Sequence, residues 1–201
     1  MLLKAIILIN ILLLSFEKEI ILKSKYPNKI TVRQISGYKA RLKFEKYKID
    51  VEARIGLNGL TKTPHEDSNA TPIGTFKFGL AFGFRRFQVN NSLKYQIINK
   101  NLYWVSDIKS KYYNKLVDIT KVPKGSFNTK KSEHLIDYPT AYEFAIEIMF
   151  NPQNDPRRGS AIFLHVMSKN KGGTAGCVAV ERNVMMKLLK YINKDTVIEI
   201  K

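Results

Sequence analysis

The chain has 201 residues, which is enough for one well-buried domain. Its 34 basic and 17 acidic residues give a net charge of +17, which favours an anionic partner: a nucleic acid, a membrane surface or an anionic wall polymer. The basic residues are spread along the chain without a nucleic-acid motif, so we expect no nucleic-acid partner; a solvated cationic face that reflects biased composition is the alternative. One cysteine and three scattered histidines do not form a zinc site, and we expect no metal and no cofactor.

The N-terminal segment predicts export. Residues 1–16 combine one lysine, Lys4, with about 12 mostly apolar residues, a length typical of a signal-peptide core and short for a membrane span of about 20. A small-x-small cleavage site is missing, so an uncleaved N-terminal membrane anchor stays open beside a cleaved signal, and a buried N-terminal element is the third possibility. We interpret residues 17–29 as a basic connector and residues 30–201 as one domain.

From residue 30 onward, apolar residues recur with a period of two, which predicts β-strands. Asn58-Gly59 and Ser36-Gly37 predict turns between strands, and residues 61–70 predict a polar loop. Trp104 fits core packing or a cleft wall. Residues 184–192 carry apolar side chains at three- and four-residue spacing, which predicts a helix. The predicted strands are 30–34, 40–45, 47–55, 76–78, 141–150 and 196–200.

The stretch with chemical potential lies near the C-terminus. Ala161, Phe163 and His165 alternate with Ile162, Leu164 and Val166, which predicts a strand with a histidine at its end. Cys177, the only cysteine, follows Thr174-Ala175-Gly176, and we expect this small-residue turn to leave its thiol exposed. A lone cysteine in an exported protein is either buried and inert or kept for its reactivity. A histidine at a strand end and a cysteine on a turn can meet as base and nucleophile.

Residues 159–180, GSAIFLHVMSKNKGGTAGCVAV, resemble the signature of the L,D-transpeptidase catalytic domain of the YkuD type. Members of that family cross-link or trim bacterial peptidoglycan through a cysteine acyl-enzyme. Their motif is a His, a loop, then Ser/Thr-x-Gly-Cys with x usually His; this chain is similar to the subgroup with Ala at that point, and it has Ala179 where many members have a polar residue. Residues 71–76, TPIGTF, are similar to the Thr-Pro-x-Gly-x-Phe element of the family.

The resemblance implies a role for each residue of the candidate site. Cys177 is expected to be the nucleophile and His165 the general base, oriented by the backbone carbonyl of Val166 and able to lower the pKa of the thiol. The backbone of Ala175, Gly176 and Cys177 is expected to form the oxyanion hole. We assign substrate contacts to the loop and to a Glu-His pair further upstream, although a structural His134 bonded to Glu133 is an alternative. The expected substrate-binding residues are Gly173, Thr174, Glu133 and His134.

The sequence therefore predicts a mostly β protein: a single L,D-transpeptidase-like β-sandwich domain with one or two helices. Its expected activity is acyl transfer from tetrapeptide stems of peptidoglycan to an amine, with release of the terminal D-residue. Two alternatives stay open: an L,D-carboxypeptidase with water as acceptor, and a non-catalytic cationic wall-binding protein. We expect a monomer in the bacterial envelope whose partners are stem peptides and anionic cell-wall polymers.

Overall fold

The structure is a computed structural model that describes residues 26–170 and 172–201. The predictions for residues 1–16 and for the connector up to residue 25 lie outside these described residues. The last residue assigned to the connector, Lys29, opens the first strand.

The described residues form fourteen strands, one α-helix and five short 3-10 helices. The strands are β1 (Lys29–Ser36), β2 (Lys39–Phe44), β3 (Ile49–Arg54), β4 (Leu60–Thr61), β5 (Thr71–Pro72), β6 (Gly74–Gly83), β7 (Tyr95–Ile97), β8 (Leu102–Trp104), β9 (Leu116–Asp118), β10 (Glu133–His134), β11 (Phe144–Ile148), β12 (Phe163–Val166), β13 (Val178–Val180) and β14 (Val197–Ile200). The α-helix, α1, is Arg182–Tyr191, and the 3-10 helices are Glu45–Tyr47, Ile119–Lys121, Thr129–Lys131, Leu135–Asp137 and Ala141–Glu143.

The main sheet closes on itself. Its strand order is β11-β12-β13-β3-β2-β1-β14-β6-β7, and β11 also pairs with β6. The long strand β6 makes this closure possible because residues 74–77 pair with β14 and residues 78–83 pair with β11. The mostly β prediction is confirmed, but the architecture is a closed, barrel-like sheet rather than a sandwich, since the two ends of one sheet meet at β6 instead of forming separate layers.

Different apolar clusters pack against the inner and outer faces of the closed sheet. Ile30, Leu42 and Leu164 belong to one large apolar cluster that draws buried residues from strands all around the circuit, so it fills the interior. Helix α1 adds Met185, Leu188 and Leu189 to this cluster, which confirms the predicted apolar helix face. The small sheet β10-β8-β9 lies over the outer face of β12, where a second apolar cluster forms.

The predicted alternation along β12 is confirmed by this division. Ile162, Leu164 and Val166 belong to the interior cluster, while Ala161 and Phe163 belong to the outer cluster. The outer cluster also contains Trp104, which is 2% exposed and meets the ring of Phe163 edge-on at 4.8 Å. Trp104 is therefore a core residue that supports the strand carrying the candidate base.

Leu164→Ala tests the interior packing. Leu164 is fully buried, so its truncation should reduce the free energy of unfolding by about 2–5 kcal/mol, measured by urea denaturation. Ile35→Ala is the matched control, because Ile35 is 63% exposed and its loss should change stability by about 0.5 kcal/mol or less. Equal losses in the two variants would contradict the assignment of the interior core.

Candidate active site

Parallel pairing of β12 and β13 brings the candidate nucleophile and base to one face of the sheet. Leu164 pairs with Val178 and His165 with Ala179, so Cys177 lies beside Phe163. The backbone N–H of Phe163 donates to Cys177 Sγ at 3.2 Å, and Sγ in turn donates to the carbonyl of Ala161 at 3.3 Å. His165 is one same-face step further along β12, about 7 Å at the strand rise.

The turn before Cys177 is held by two threonine hydroxyls. Thr174 Oγ1 donates to the carbonyl of Cys177 at 2.6 Å and accepts from the N–H of Gly176 at 3.1 Å. Thr71 Oγ1 donates to the carbonyl of Gly176 at 2.7 Å and accepts from the N–H of Gly56 at 2.8 Å. The TPIGTF element thus supports the cysteine turn directly, through a contact that the sequence alone does not reveal.

Two glycines let this turn sit close to its neighbours. Gly176 has φ of +142°, and a Cβ there would lie 2.8 Å from Ile162 Cδ1. A Cβ on Gly173 would lie 2.7 Å from the Cα of Leu57, beside the point where Thr174 bridges to Gly56. Larger residues at 173 or 176 would push the loop away from the sheet.

The His165 imidazole is set up as a neutral base. Its Nδ1 lies 2.8 Å from the carbonyl oxygen of Val166. A carbonyl only accepts, so Nδ1 carries the proton and Nε2 keeps its lone pair. Burial lowers the pKa of His165 to about 4, against a smaller opposing effect of the Val166 hydrogen bond. The ring is therefore neutral at pH 7.

The Cys177 thiol is buried, with 7% of the residue exposed. The expected exposure of the thiol is therefore wrong: the outer cluster and the Ala161–Phe163 backbone cover the sulfur, although Ala175 in the turn is exposed. Burial raises the pKa of the thiol, the charge of Glu133 raises it further, and the hydrogen bond from Phe163 only partly offsets them. The expected lowering of this pKa by His165 is absent, because the histidine beside it is neutral.

A cleft of about 690 Å³ opens over these two side chains. Most of the sequence-predicted site residues line it, namely Cys177, His165, Ala175, Thr174, Gly173 and Glu133. Val166 contributes through its carbonyl, and Gly176 lies under the turn against Ile162. Sequence reasoning missed several further lining residues: Glu66, Ser106, Lys130, Lys131, Tyr142 and Ser160. The sequence predicted Tyr142 as part of a strand, whereas it lies in the 3-10 helix Ala141–Glu143. Glu66 was predicted only as part of a polar loop.

His134 does not line the cleft. Its Nε2 lies 2.8 Å from the carbonyl of Lys100, its Nδ1 lies 3.3 Å from a carboxylate oxygen of Asp137, and its ring stacks on Tyr103 at 4.3 Å. The structure pairs His134 with Asp137, not with Glu133, because neighbouring residues of β10 point to opposite faces.

Among the described residues, neither a set of metal ligands nor a membrane-spanning helix is present. Within residues 26–170 and 172–201, no three His, Cys, Asp or Glu side chains come together as a set of metal ligands. Over the same ranges, no helix has the length and apolar character needed to cross a membrane.

The burial of Cys177 generates a prediction about its reactivity. A neutral, covered thiol should react slowly with iodoacetamide at pH 7, and its reaction rate should still be rising at pH 10, because the raised pKa shifts thiolate formation to higher pH. The measurement is alkylation followed by intact mass from pH 6 to 10. The same protein in denaturant is the control and should react faster at pH 7; equal rates in the folded and unfolded chain would contradict the buried neutral thiol.

Comparison with known proteins agrees with this geometry. The family model of the L,D-transpeptidase catalytic domain, YkuD, matches residues 40–200, a range that includes the closed sheet from β2 to β14, the cleft and both candidate catalytic side chains. In the same comparisons, no curated protein and no solved structure matched the chain. The chain therefore belongs to the YkuD family of L,D-transpeptidase catalytic domains.

Proposed function

We propose that this protein is a peptidoglycan L,D-transpeptidase that forms an acyl-enzyme on Cys177 with tetrapeptide stems, releases the terminal D-residue and passes the acyl group to an amine. The observation that carries the proposal is the placement of the Cys177 thiol and the neutral His165 imidazole on one face of adjacent strands, where both line a cleft of about 690 Å³. The membership in the YkuD family supports this class of chemistry.

In the proposed reaction the proton leaves the thiol only when substrate is bound. His165 Nε2 takes the proton of Sγ as the sulfur attacks the carbonyl carbon before the terminal D-residue. The imidazolium then returns the proton to the leaving amine, and a thioester remains on Cys177. An incoming amine attacks this thioester and gives its proton to His165, which restores the thiol. The Val166 carbonyl stabilises the imidazolium through the Nδ1–H bond.

The oxyanion of the tetrahedral intermediate needs backbone donors near Sγ. Gly176 N–H already donates to Thr174 Oγ1. Among the described residues, the N–H groups of Ala175 and Cys177 have no hydrogen-bond acceptor, so we assign the oxyanion hole to these two donors. Each donor of this kind contributes about 3 kcal/mol to transition-state stabilisation.

The remaining assignments follow from the cleft. We propose that Gly173 and the Thr174 backbone form one wall of the stem-peptide site and that Glu133 lies at its floor, with the enzyme acting as an exported monomer in the cell envelope. Water as acceptor would make the same acyl-enzyme an L,D-carboxypeptidase. A non-catalytic wall-binding role is disfavoured because both the thiol and its base line the cleft.

The acyl-enzyme is directly testable with a tetrapeptide stem. Incubation should add the mass of the tripeptide acyl group to the protein and release one terminal D-residue per turnover, measured by intact mass and chiral amino-acid analysis. Cys177→Ala should lose both signals, because no other described residue offers a thiol. With an amine acceptor present the product should be cross-linked, whereas tripeptide alone would show the carboxypeptidase branch.

Cys177→Ser is the matched control for folding and substrate binding. It should keep the thermal stability of the wild type within a few degrees while turnover falls by orders of magnitude, since a hydroxyl is far less nucleophilic than a thiol. Release of the D-residue at the wild-type rate by either cysteine variant would overturn the proposed function.

A further inference from the structure

A carboxyl–phenol pair, with a buried phenol and a partly buried carboxyl group, lines the cleft beside the proposed catalytic residues. Glu133 comes from β10 and Tyr142 from the 3-10 helix Ala141–Glu143. The Tyr142 hydroxyl donates to Glu133 Oε2, and Tyr142 is only 4% exposed. Because a buried phenol needs an acceptor, the carboxyl group of Glu133 fixes where the Tyr142 ring lies.

The Tyr142 ring contacts both strand residues that set the site geometry. It meets the His165 ring edge-on, with centroids 5.8 Å apart and planes at 83°. It also meets the Phe163 ring edge-on at 5.5 Å and 90°. Phe163 is the residue whose N–H donates to Cys177 Sγ. One side chain therefore supports the base directly and the nucleophile through a single intervening residue.

We propose that Glu133 is a positioning residue for the Cys177–His165 pair, acting through the Tyr142 ring. The inference rests on the proposed function for its kinetic consequences, but the contacts themselves do not depend on the substrate. Glu133 does not exchange protons with the substrate in this role; it keeps Tyr142, and so the imidazole, in place.

The charge of Glu133 also affects the pKa of the Cys177 thiol, which provides a second measurable effect. Burial raises the pKa of Glu133 to about 7, the Tyr142 hydrogen bond lowers it, and the charge of Glu66 raises it. The charge is therefore present above about pH 7 and absent below it, and when present it disfavours the Cys177 thiolate. Glu133 raises the pKa values of the neighbouring Tyr142 and Tyr138. The other charged side chains nearby are Asp137, beside Tyr138, and Lys130 and Lys131, which line the cleft.

Three variants separate positioning from charge. Glu133→Gln keeps an oxygen that accepts from Tyr142 but removes the charge; Glu133→Ala removes both; Tyr142→Phe keeps the ring but loses the bond. The matched control is Glu147→Gln, which neutralises another partly buried carboxyl whose pKa burial raises, on β11 and outside the cleft. The readouts are kcat and KM on the tetrapeptide stem and the pH profile of Cys177 alkylation.

We expect Tyr142→Phe to lower kcat about tenfold or more with little change in KM, Glu133→Ala to lower kcat by a similar factor, and Glu133→Gln to restore most of it. The alkylation rate between pH 8 and 10 should rise roughly tenfold in Glu133→Gln and Glu133→Ala, because loss of the negative charge lowers the pKa of the thiol, and it should stay unchanged in Glu147→Gln. Wild-type kcat in Tyr142→Phe, or a kcat in Glu133→Gln as low as that in Glu133→Ala, would overturn the positioning role; an unchanged alkylation rate in Glu133→Gln would contradict the electrostatic effect. If the wild type leaves the stem peptide intact while Tyr142→Phe, which keeps the Glu133 carboxyl group, still changes the rate of Cys177 alkylation, the proposed function fails and the positioning role stands.

A separate observation concerns the opposite wall of the closed sheet. Outward-facing side chains of β1, β2 and the end of β14 form a groove of about 520 Å³. In the strand order, β1 lies four steps from β12 in either direction around the circuit, so this groove faces away from the cleft. It is lined by Pro27, Lys29, Thr31, Arg33, Arg41, Lys43, Glu45, Glu199 and Lys201.

The cations in this groove outnumber their local partners. Arg33 and Arg41 are directly opposite in the β1–β2 register, an arrangement of like charges that weakens a strand pair, although Glu52 lies opposite Arg41 on the β3 side. Lys29 and Lys201 share Glu199, at 3.2 and 2.6 Å. Arg41 and Lys43 share Asp50. Arg33 has no ion-pair partner among the described residues. We propose that the groove binds a linear polyanion of the cell wall, whose repeated phosphates or carboxylates would relieve this repulsion.

The double variant Arg33→Gln/Arg41→Gln tests the groove. The control, Lys109→Gln/Lys124→Gln, also removes two positive charges, but from exposed loops outside the groove. The probes are poly(glycerol phosphate) and polygalacturonate at low salt. The groove variant should bind about tenfold more weakly and with a shallower salt dependence, while the control changes by about twofold. Loss with one probe alone identifies phosphate or carboxylate as the recognised anion. Equal losses in the two variants, or a groove-dependent preference for an RNA homopolymer over both probes, would overturn the proposal.

Discussion

The parallel pairing of β12 with β13 is the constraint on which the rest of the site depends. Cys177 and His165 are twelve residues apart in the chain, and only this register puts them on the same face one step apart. The pairing holds because Leu164, Val178 and Val180 fill the interior of the closed sheet. A slip of one residue would turn His165 inward and an apolar side chain outward, so the apolar core fixes the chemistry of the cleft.

In this arrangement both Cys177 and His165 are neutral before substrate binds. Burial disfavours both charged forms, which raises the pKa of Cys177 and lowers that of His165 to about 4. A thiolate–imidazolium pair is therefore not the resting state, and the proton transfer belongs to the reaction. In the proposed reaction, fixed groups would stabilise the developing charges: the Val166 carbonyl for the imidazolium and the backbone donors of the cysteine turn for the oxyanion.

The residues that hold the cysteine turn and strand β12 in place come from distant parts of the chain. Thr71, more than a hundred residues before the cysteine, holds the Gly176 carbonyl. Trp104 packs against Phe163 and donates through its indole N–H to Asn114, which also accepts from the backbone of Ala161. Glu133 reaches the site through Tyr142. These contacts give the rigid elements β12 and β13 a fixed position relative to the cleft wall.

Local pattern was sufficient for the longer strands, for the helix and for the choice of Cys177 and His165 as candidates, but not for the short strands β7 to β10 or for the 3-10 helix Ala141–Glu143, which was predicted as strand. The two-residue period around Leu164 gave the correct faces of β12, the spacing of Leu188 and Leu189 gave the helix, and the Thr-Ala-Gly-Cys motif with an upstream histidine indicated the family, because each of these signals depends only on neighbouring residues. Closure of the sheet at β6, the burial of Cys177, and the recruitment of Tyr142 and Glu66 to the cleft were decided by tertiary structure. They depend on which distant segments pack together, and pairing between residues far apart in the chain leaves no periodic signal in a single sequence.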